Sequence, residues 1–353
     1  MKKEDRNVCA FLELMKSGIW GKIPDTSLFE DLTDFDWLEI YMIAGKQTVL
    51  GICLKPIMTL PDRLKPPTKL LLQWVGLNRF IEANNYKMQQ VWDEFNTKLT
   101  AKGIYPVMFK GLSVAKWYAQ PMSRQSCDVD IFIPDKFDEA IRLIKDMGIK
   151  CKHKPQHDTI VYKGITLEIH PNIINSPFKP QLNMKILDDV IGNNVAVRVP
   201  DPNTTSLMLL SHAAGHFLIP GIGYRFLCDW AVFLKFNHDK IDTDYVLRES
   251  RRMGMNRFVT EFTKLAEVQL GLQFEGLEKW TDKSNRKYLY KLSDELFEQG
   301  DFGAVNFQKN NHGNKFKLGW HILRSLMASR YYWPRLFWRR APKYLYKLIF
   351  KKF

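Results

Sequence analysis

Two aspartates, Asp128 and Asp130, stand at the start of an otherwise apolar stretch, "CDVDIFIP" (127–134). Side chains of a strand alternate between its two faces, so residues two apart point to the same face. Asp is disfavoured in strands, and like charges on one face repel each other. A chain that keeps this pair must place it at the mouth of a strand, where something outside the strand offsets the repulsion.

The sequence around this pair predicts a small unit of mixed helices and strands. "IYPVMF" (104–109) reads as a strand, "GLSVAKWYA" (111–119) as a short helix, and "DKFDEAIRLIKDMG" (135–148) as a helix with acidic residues in its first turn and a glycine at its end. Three short extended runs follow, "IKCKHK", "TIVYKG" and "ITLEIHPN". We place this unit at residues 104–200.

Helical spacing dominates on both sides of the unit. Before it, "DWLEIYMIAGKQTVLGICLKPI" and "LNRFIEANNYKMQQVWDEFNTKLTAKG" carry apolar residues three and four apart, and after it the same period runs from "TTSLMLLSHAAGHF" to about Gln273. We therefore predict an α+β fold in which a small mixed-sheet core is flanked by an N-terminal helical region (1–103) and a C-terminal helical domain (201–319). A basic, aromatic tail (320–353) follows.

One stretch raises the question of a membrane span. "SLMLLSHAAGHFLIPGIGY" (206–224) contains no Lys, Arg, Asp or Glu. Its two histidines, its glycines and Pro220 favour a buried helix followed by a turn.

A third acidic residue, Glu168, lies in the apolar run "ITLEIH". Two aspartates and a carboxylate from a neighbouring strand form the compact set of oxygen ligands that one or two Mg²⁺ ions need, with substrate phosphates completing the shell. The alternative for an isolated D-x-D pair is a transition from strand to loop with solvated carboxylates.

The residues upstream of the pair favour the metal hypothesis. Lys110 and Gly111 join a strand directly to a helix, and glycine permits close approach of a phosphate to the backbone. Arg124 lies four residues before Asp128 and could neutralise the carboxylates or bind a phosphate. The order is strand, K-G, helix, R-x-x-x-D-x-D, helix, and a strand with Glu.

In the segments "FKGLSVAKWYAQPMSRQSCDVDIFI" and "LEIHPNI", the sequence resembles a nucleotidyltransferase family of the polymerase-β-like superfamily. The resemblance covers about residues 104–175 and extends more loosely to "SLMLLSHAAGHF" and "RFLCDW". It implies that Asp128 and Asp130 ligate metal, and that Glu168 is the third carboxylate and helps to deprotonate the attacking hydroxyl.

The chain departs from the superfamily at one position of this motif. The superfamily usually carries Gly-Ser where this chain has Lys110-Gly111. The resemblance therefore implies that either Ser113 or the Lys110 ammonium substitutes for the missing serine contact to the phosphates of the nucleotide.

Other polar residues have both a structural and a functional interpretation. His212 and His216 share one face of a helix and could bind zinc, although packing in the core or along a substrate pocket fits them better. Arg225 and Asp229 are spaced as an i,i+4 ion pair, with lining of a nucleotide cleft as the alternative. His170 is either a partner of the carboxylates or a histidine at a strand end.

The net charge of +14 is concentrated in the tail. Residues 320–353 contain nine Lys or Arg, no Asp or Glu, and ten aromatic residues, which leaves +14 − 9 = +5 for residues 1–319. Such a segment suits an anionic membrane surface or RNA, and it could equally pack its aromatics on its own domain. The five scattered cysteines indicate reduced thiols in a cytosolic protein, with no structural zinc site.

The favoured function is a Mg²⁺-dependent nucleotidyltransferase that moves an NMP group from an NTP such as ATP to a hydroxyl of a small molecule, a protein or an RNA. We expect it in the cytoplasm, with the membrane surface as a further location. The alternatives are a non-catalytic nucleotide-binding module that docks through its basic tail, and a toxin-like transferase acting on tRNA. The chain has no G-x-G-x-x-G, Walker P-loop or G-x-S-x-G motif, which argues against those chemistries.

Overall fold

The computed structural model describes residues 6–174, 184–191, 195–218, 221–301, 327 and 330–333. Within that part of the chain the helices are α1 (Arg6–Trp20), α2 (Asp34–Lys46), α3 (Leu50–Thr59), α4 (Thr68–Thr100), α5 (Gly111–Ala115), α6 (Phe137–Asp146), α7 (Pro202–Leu218), α8 (Tyr224–Asn237), α9 (Thr243–Arg252), α10 (Asn256–Leu270), α11 (Glu278–Thr281) and α12 (Arg286–Gln299). The strands are β1 (Val107–Phe109), β2 (Val129–Phe132), β3 (Cys151–His153), β4 (Asp158–Tyr162), β5 (Ile165–His170), β6 (Ile186–Ile191) and β7 (Val195–Pro200).

The strands form one mixed sheet in the order β3-β4-β5-β2-β1-β7-β6. Strand β2 is antiparallel to β1 and parallel to β5, and β1 is parallel to β7. The β3–β4, β4–β5 and β6–β7 pairs are antiparallel. This mixed sheet among helices confirms the predicted α+β class. The five strands predicted by sequence are present, and β6 and β7 extend the sheet beyond β1.

Helix α6 shows why the core unit folds as its sequence predicts. Its buried residues Ala140, Ile141 and Ile144 lie on one face, which packs against the sheet core. Acidic residues occupy its first turn, where the helix dipole favours them, and Gly148 follows its end with φ of +75°. The helix is two residues shorter at each end than the predicted 135–148.

One of the predicted N-terminal helical runs is divided in the structure. Helix α2 begins with a capping box in which the Thr33 side chain and the Asp36 side chain each accept a hydrogen bond from the backbone of the other residue. It ends at Lys46, and α3 begins at Leu50. Thr48 between them has φ of 53°, so the chain turns where continuous apolar spacing predicted one helix.

Helix α1 packs on the C-terminal helices. Phe11 of α1 contacts Tyr224 of α8 and Phe297 of α12, with ring centroids 5.9 Å and 6.2 Å apart. The 33-residue α4 bridges the two cores: Trp74 lies in the helical core, and Trp92 lies in the core beneath the sheet. Helix α4 therefore joins the helical core to the core of the sheet unit.

The stretch considered as a membrane span covers most of α7 and ends at the first residue of α8, and Leu207, Leu210 and Phe217 are buried in the helical core. In the described part of the chain, no helix is both long enough and apolar enough to cross a membrane. Most of the predicted basic tail lies outside the described residues. Within its described part, Tyr332 and Trp333 pack against Phe217 of α7 and Phe258 of α10.

Candidate functional site

A cavity of about 240 Å³ lies between the sheet and helices α7 and α8. The sheet side contributes the segments that follow β1 and precede β2, together with one residue of β2 and one of β5. Its wall contains six of the seven predicted site residues: Lys110, Gly111, Arg124, Asp128, Asp130 and Glu168. These residues are separated by up to 58 positions along the chain, and strand pairing brings them to one place.

The carboxylates converge because of the sheet register. Asp130 of β2 is paired with Glu168 of the parallel strand β5, and Asp128 immediately precedes β2. Asp130 is buried, whereas Asp128 is half-buried on the cavity wall. Burial, together with the charges of Asp130 and Glu168, raises the pKa of Asp128 to about 7. The site therefore resists holding all of its negative charge without a compensating cation.

Asp130 is held ionised by two partners. The Lys110 Nζ lies 2.9 Å from Asp130 Oδ1, and the His170 Nε2 lies 3.0 Å from the same oxygen. Burial by itself would raise the pKa of Asp130, but the Lys110 ammonium and the His170 hydrogen bond outweigh it and hold that pKa well below its usual range. Of the two interpretations of His170, the structure supports the partner of the carboxylates.

Lys110 adopts a backbone conformation that normally requires glycine, with φ of 59° and ψ of −162°. Such a conformation costs a non-glycine residue on the order of 1–3 kcal/mol. The ion pair with Asp130 and the position of the ammonium 4.8 Å from the centre of the Phe109 ring offset part of that cost. These two contacts hold the Lys110 ammonium directly beside the buried carboxylate.

Ser113 is the predicted site residue that is absent from the cavity wall. Its hydroxyl donates a hydrogen bond to the Lys110 carbonyl oxygen at 2.8 Å, and its backbone N–H donates to the same oxygen. Ser113 thus closes the tight turn from β1 into α5, which is only five residues long. Of the two residues proposed to replace the missing serine contact, only Lys110 borders the cavity.

Arg124 does not contact the Asp128–Asp130 pair. Its guanidinium forms a bidentate pair with Asp229 of α8, with Nε 2.9 Å from Oδ1 and Nη2 2.6 Å from Oδ2. Tyr118 donates its hydroxyl to the same carboxylate at 2.6 Å. Arg124 is buried and ties the segment before β2 to the C-terminal helices. The expectation that it neutralises the aspartate pair is therefore corrected.

The predicted i,i+4 ion pair between Arg225 and Asp229 is wrong. Asp229 is taken by Arg124, and the Arg225 Nη2 lies 2.6 Å from Oδ2 of Asp301, beyond the end of α12. Arg225 also donates to the Thr48 hydroxyl at 3.1 Å. Partners from distant segments outcompete the neighbour one turn away because they bury the charges in fixed geometry. Both Arg225 and Asp229 do line the cavity, as the alternative interpretation expected.

His212 and His216 of α7 line the same cavity as the carboxylates. Their Nε2 atoms are 3.1 Å apart, and both rings pack on Phe226 with centroids 5.2 Å and 4.6 Å away. Burial lowers the pKa of His216 to about 4 and that of His212 well below its usual range. Among the described residues they belong to no group of three metal ligands. They are neutral pocket-lining side chains.

Sequence reasoning missed two residues that the β3–β4 turn brings to Glu168. The His157 Nε2 lies 3.0 Å from Glu168 Oε1, and the Lys154 Nζ lies 3.5 Å from the same oxygen. The Lys154 Nζ is also 3.1 Å from the His157 Nε2. The antiparallel pairing of Thr159 with Glu168 carries this turn to the site. The only signal was the run of Lys and His in "KHKPQH", which is also typical of an exposed turn.

A comparison with known protein families gives one match. Residues 33–271 match the model of a family described as uncharacterised nucleotidyltransferase. Because that match covers more than half of the chain, the protein belongs to this family, as the motif predicted. Membership supports a general role in nucleotidyl transfer.

Comparisons at the level of individual proteins add little. The crystal structure of an antigenic nucleotidyltransferase-like protein from Paracoccidioides brasiliensis is similar at a TM-score of 0.34 and 14% identity, with 53% of this chain and 93% of that chain covered. No curated protein matches the chain.

Proposed function

We propose that this protein is a Mg²⁺-dependent nucleotidyltransferase that moves an NMP group from an NTP to a hydroxyl of an acceptor. The observation that carries the proposal is the convergence of Asp128, Asp130 and Glu168 on one cavity wall. Burial, together with the charges of Asp130 and Glu168, raises the pKa of Asp128 to about 7. A group of carboxylates that destabilise one another is suited to a divalent cation and gains little from remaining without one.

The donor set fits Mg²⁺. Carboxylate oxygens are the ligands that this ion prefers, and Asp128, Asp130 and Glu168 would hold it together with substrate phosphates. When bound, Mg²⁺ supplies charge neutralisation for the attacking and leaving oxygens of the phosphoryl group. The Lys110 ammonium beside Asp130 supports the same conclusion, because it is a cation already held at that carboxylate.

The residues of the chain account for the remaining steps. The acceptor hydroxyl oxygen forms a bond to the α-phosphorus, and the bond from that phosphorus to the bridging oxygen breaks to release pyrophosphate. Glu168, which faces the cavity, accepts the hydroxyl proton. Lys110 and Arg225 present positive charge to the triphosphate from two sides of the same cavity.

The test is the melting temperature of the full chain with each NTP, with and without Mg²⁺. A ligand that binds only the folded state at 100 times its Kd stabilises it by about 2.7 kcal/mol. We expect one NTP to raise the melting temperature only with Mg²⁺, and we expect that rise to vanish in the Asp128→Asn, Asp130→Asn double variant. A labelled α-phosphate of that NTP then reports transfer to candidate acceptors.

The matched control is the Asp135→Asn, Asp138→Asn double variant, which removes the same charge from two exposed residues of the same unit. It should keep the full response. The metal-site proposal is wrong if no NTP stabilises the wild type, or if the response survives in the Asp128 and Asp130 variant. Mg²⁺-dependent binding without transfer to any acceptor would favour the nucleotide-binding module instead.

A further inference from the structure

A second group of metal-ligating side chains shares Glu168 with the cavity wall and adds two histidines, His157 and His170, that do not line the cavity. One ring nitrogen each of His157 and His170 and one carboxylate oxygen of Glu168 all lie within 4.8 Å of one another. The two imidazole rings have centroids 4.9 Å apart and are tilted by 44°. The Glu168 carboxylate approaches both rings: Oε1 lies 3.0 Å from the His157 Nε2, and Oε2 lies 3.8 Å from the His170 Nε2.

These three side chains are held in place by separate elements. Glu168 and His170 come from neighbouring positions on one face of β5, and His157 comes from the turn before β4. The His170 side chain is only 3% exposed and contacts Asp130 through Nε2. Its Nδ1 has no hydrogen-bond partner among the described residues, which is uncommon for a buried polar atom. His170 therefore has unused capacity to bind a ligand.

The chemistry of this group differs from that of the aspartate pair. Asp128 and Asp130 offer only oxygen, which suits Mg²⁺. Two imidazoles and one carboxylate suit first-row transition metals, and sets of this composition leave positions open for water or substrate. The His170 Nε2 contacts Asp130, which leaves Nδ1 as the nitrogen for a metal, and a carboxylate on the other ring nitrogen is common around metals of this kind.

We propose that His157, Glu168 and His170 form a binding site for a first-row transition-metal dication, next to the Mg²⁺ site at Asp128 and Asp130 and sharing Glu168 with it. The inference deepens the proposed function by naming a second metal, and it rests on that function only for the role of Glu168 in transfer. The two histidines bind the dication, and this binding needs no nucleotide.

Lys154 is the competitor for this site. Its ammonium lies 3.1 Å from the His157 Nε2 and 3.5 Å from Glu168 Oε1, close to where a dication would bind. Its side chain is 39% exposed, so it can turn into solvent when the metal enters. Removal of the Lys154 charge should therefore tighten metal binding, because the charge that repels the dication is gone. If Lys154 served only as an ion-pair partner of Glu168, its removal would cost that pair and would not tighten metal binding.

The experiment uses the full chain stripped of metal and titrated with Co²⁺ alone, followed by visible absorption and calorimetry. We expect one Co²⁺ per chain with the absorption of a low-coordinate site that includes nitrogen. His157→Gln should weaken binding at least about tenfold, and Lys154→Gln should strengthen it severalfold. His153→Gln, which changes an 86% exposed histidine on the adjacent strand, is the control and should bind as the wild type does.

Two results would overturn the site. One is wild-type Co²⁺ affinity in His157→Gln, and the other is loss of the spectrum in a His212→Gln, His216→Gln double variant with retention in His157→Gln. Asp128→Asn separates this inference from the proposed function: it should abolish the NTP response and retain the Co²⁺ spectrum. A Co²⁺ site in a protein that no NTP stabilises would refute the transferase and leave the metal site standing.

Discussion

His212 and His216 bring two neutral imidazoles to the cavity wall. Burial is the main cause of their lowered pKa values, and the positive charges of Lys110 and Arg225 act in the same direction. Asp301 opposes the shift at His216 without cancelling it. Both rings therefore stay neutral in the folded protein at pH values where an exposed histidine becomes protonated. Protonation of the unfolded chain then competes with folding.

The sign of the effect on stability follows from this difference. Below the ordinary histidine pKa of 6.5, the unfolded chain binds protons that the folded chain does not, so the free energy of unfolding falls as the pH falls. The loss from His216 levels off near its folded pKa of about 4. Each pH unit within this window costs about 1.4 kcal/mol per histidine that stays neutral.

Urea unfolding at pH 7.5, 6.0 and 5.0 measures this contribution. The pKa of Asp128 is raised to about 7, so its contribution to stability changes with pH in the opposite direction. The informative quantity is therefore the difference between the wild type and a His212→Gln, His216→Gln variant. We expect the wild type to lose more stability than the variant between pH 7.5 and 5.0. Equal losses would show that the two rings are protonated as readily in the folded protein, and His153→Gln should behave as the wild type.

The positions of the carboxylates could be predicted from single residues, but the partners of the arginines could not. Period-two spacing puts Asp128 and Asp130 together wherever the strand lies, and the apolar context of Glu168 marks it as unusual. Arg124 bonds a carboxylate 105 residues away, and Arg225 bonds one 76 residues away. No local spacing rule reaches such distances, so the apparent i,i+4 pair gave the wrong partner.

At the scale of elements, a close contact with helix α3 determines the position of the segment that carries Arg124. A 3₁₀ turn, Pro121–Ser123, lies across the start of α3 at Gly51. A Cβ at Gly51 would lie 2.2 Å from the Ser123 carbonyl oxygen and 2.7 Å from the Asn78 amide oxygen. Neither the Ser123 carbonyl oxygen nor the buried Asn78 side chain can move away without a large cost in energy. Only glycine therefore permits this close approach of the turn to α3.

Gly51→Ala should therefore displace the turn and the Arg124 that follows it. We expect a loss of stability of about 2–4 kcal/mol, as for overpacking against backbone, and a weaker NTP response. Gly76→Ala is the matched control, because Gly76 is an exposed glycine in α4 with nothing within 4 Å of its Cβ position. That change should stabilise the protein by about 0.5–1 kcal/mol. Similar values for both variants in urea unfolding would contradict the contact.

Elements were predictable where the sequence pattern is local. The strand and helix pattern from β1 to β5 follows from period, caps and glycines. Strands β6 and β7 were not individually predicted, because "ILDDVI" puts two aspartates side by side and shows no clean alternation. Their place is fixed by pairing, β7 with the distant β1 and β6 with β7. The break between α2 and α3 was missed for the same reason, since apolar spacing continues through it.

At the scale of the whole molecule, one buried network joins the N-terminal helices to the C-terminal ones. The Asp301 carboxylate accepts hydrogen bonds from Arg225 at 2.7 Å and from the Thr48 hydroxyl at 2.7 Å. Next to Thr48, the Gln47 side chain donates to the Leu296 carbonyl oxygen and accepts from the Tyr224 N–H. The turn between α2 and α3 is thus fastened to both α8 and the end of α12, on one side of the cavity.

Breaking this network should be costly from either side. The Asp301 side chain is fully buried and that of Arg225 is 14% exposed, so removal of one partner leaves the other charge buried and uncompensated. Such a change typically costs about 3–5 kcal/mol. We expect this loss for Asp301→Leu and for Arg225→Met alone, and a smaller loss for the double variant, which leaves no charge behind.

A double-mutant cycle by urea unfolding measures the coupling. The control is Asp62→Ala, which breaks the ion pair of a fully exposed aspartate with Lys65 and should leave the free energy of unfolding almost unchanged. If either single variant at the network is as mild as this control, the pair does not hold the helical regions together. Arg225 also lines the cavity, and loss of Asp301 leaves this arginine no longer held in place. Asp301→Leu should therefore weaken the NTP response even when an osmolyte restores the stability of the ligand-free protein.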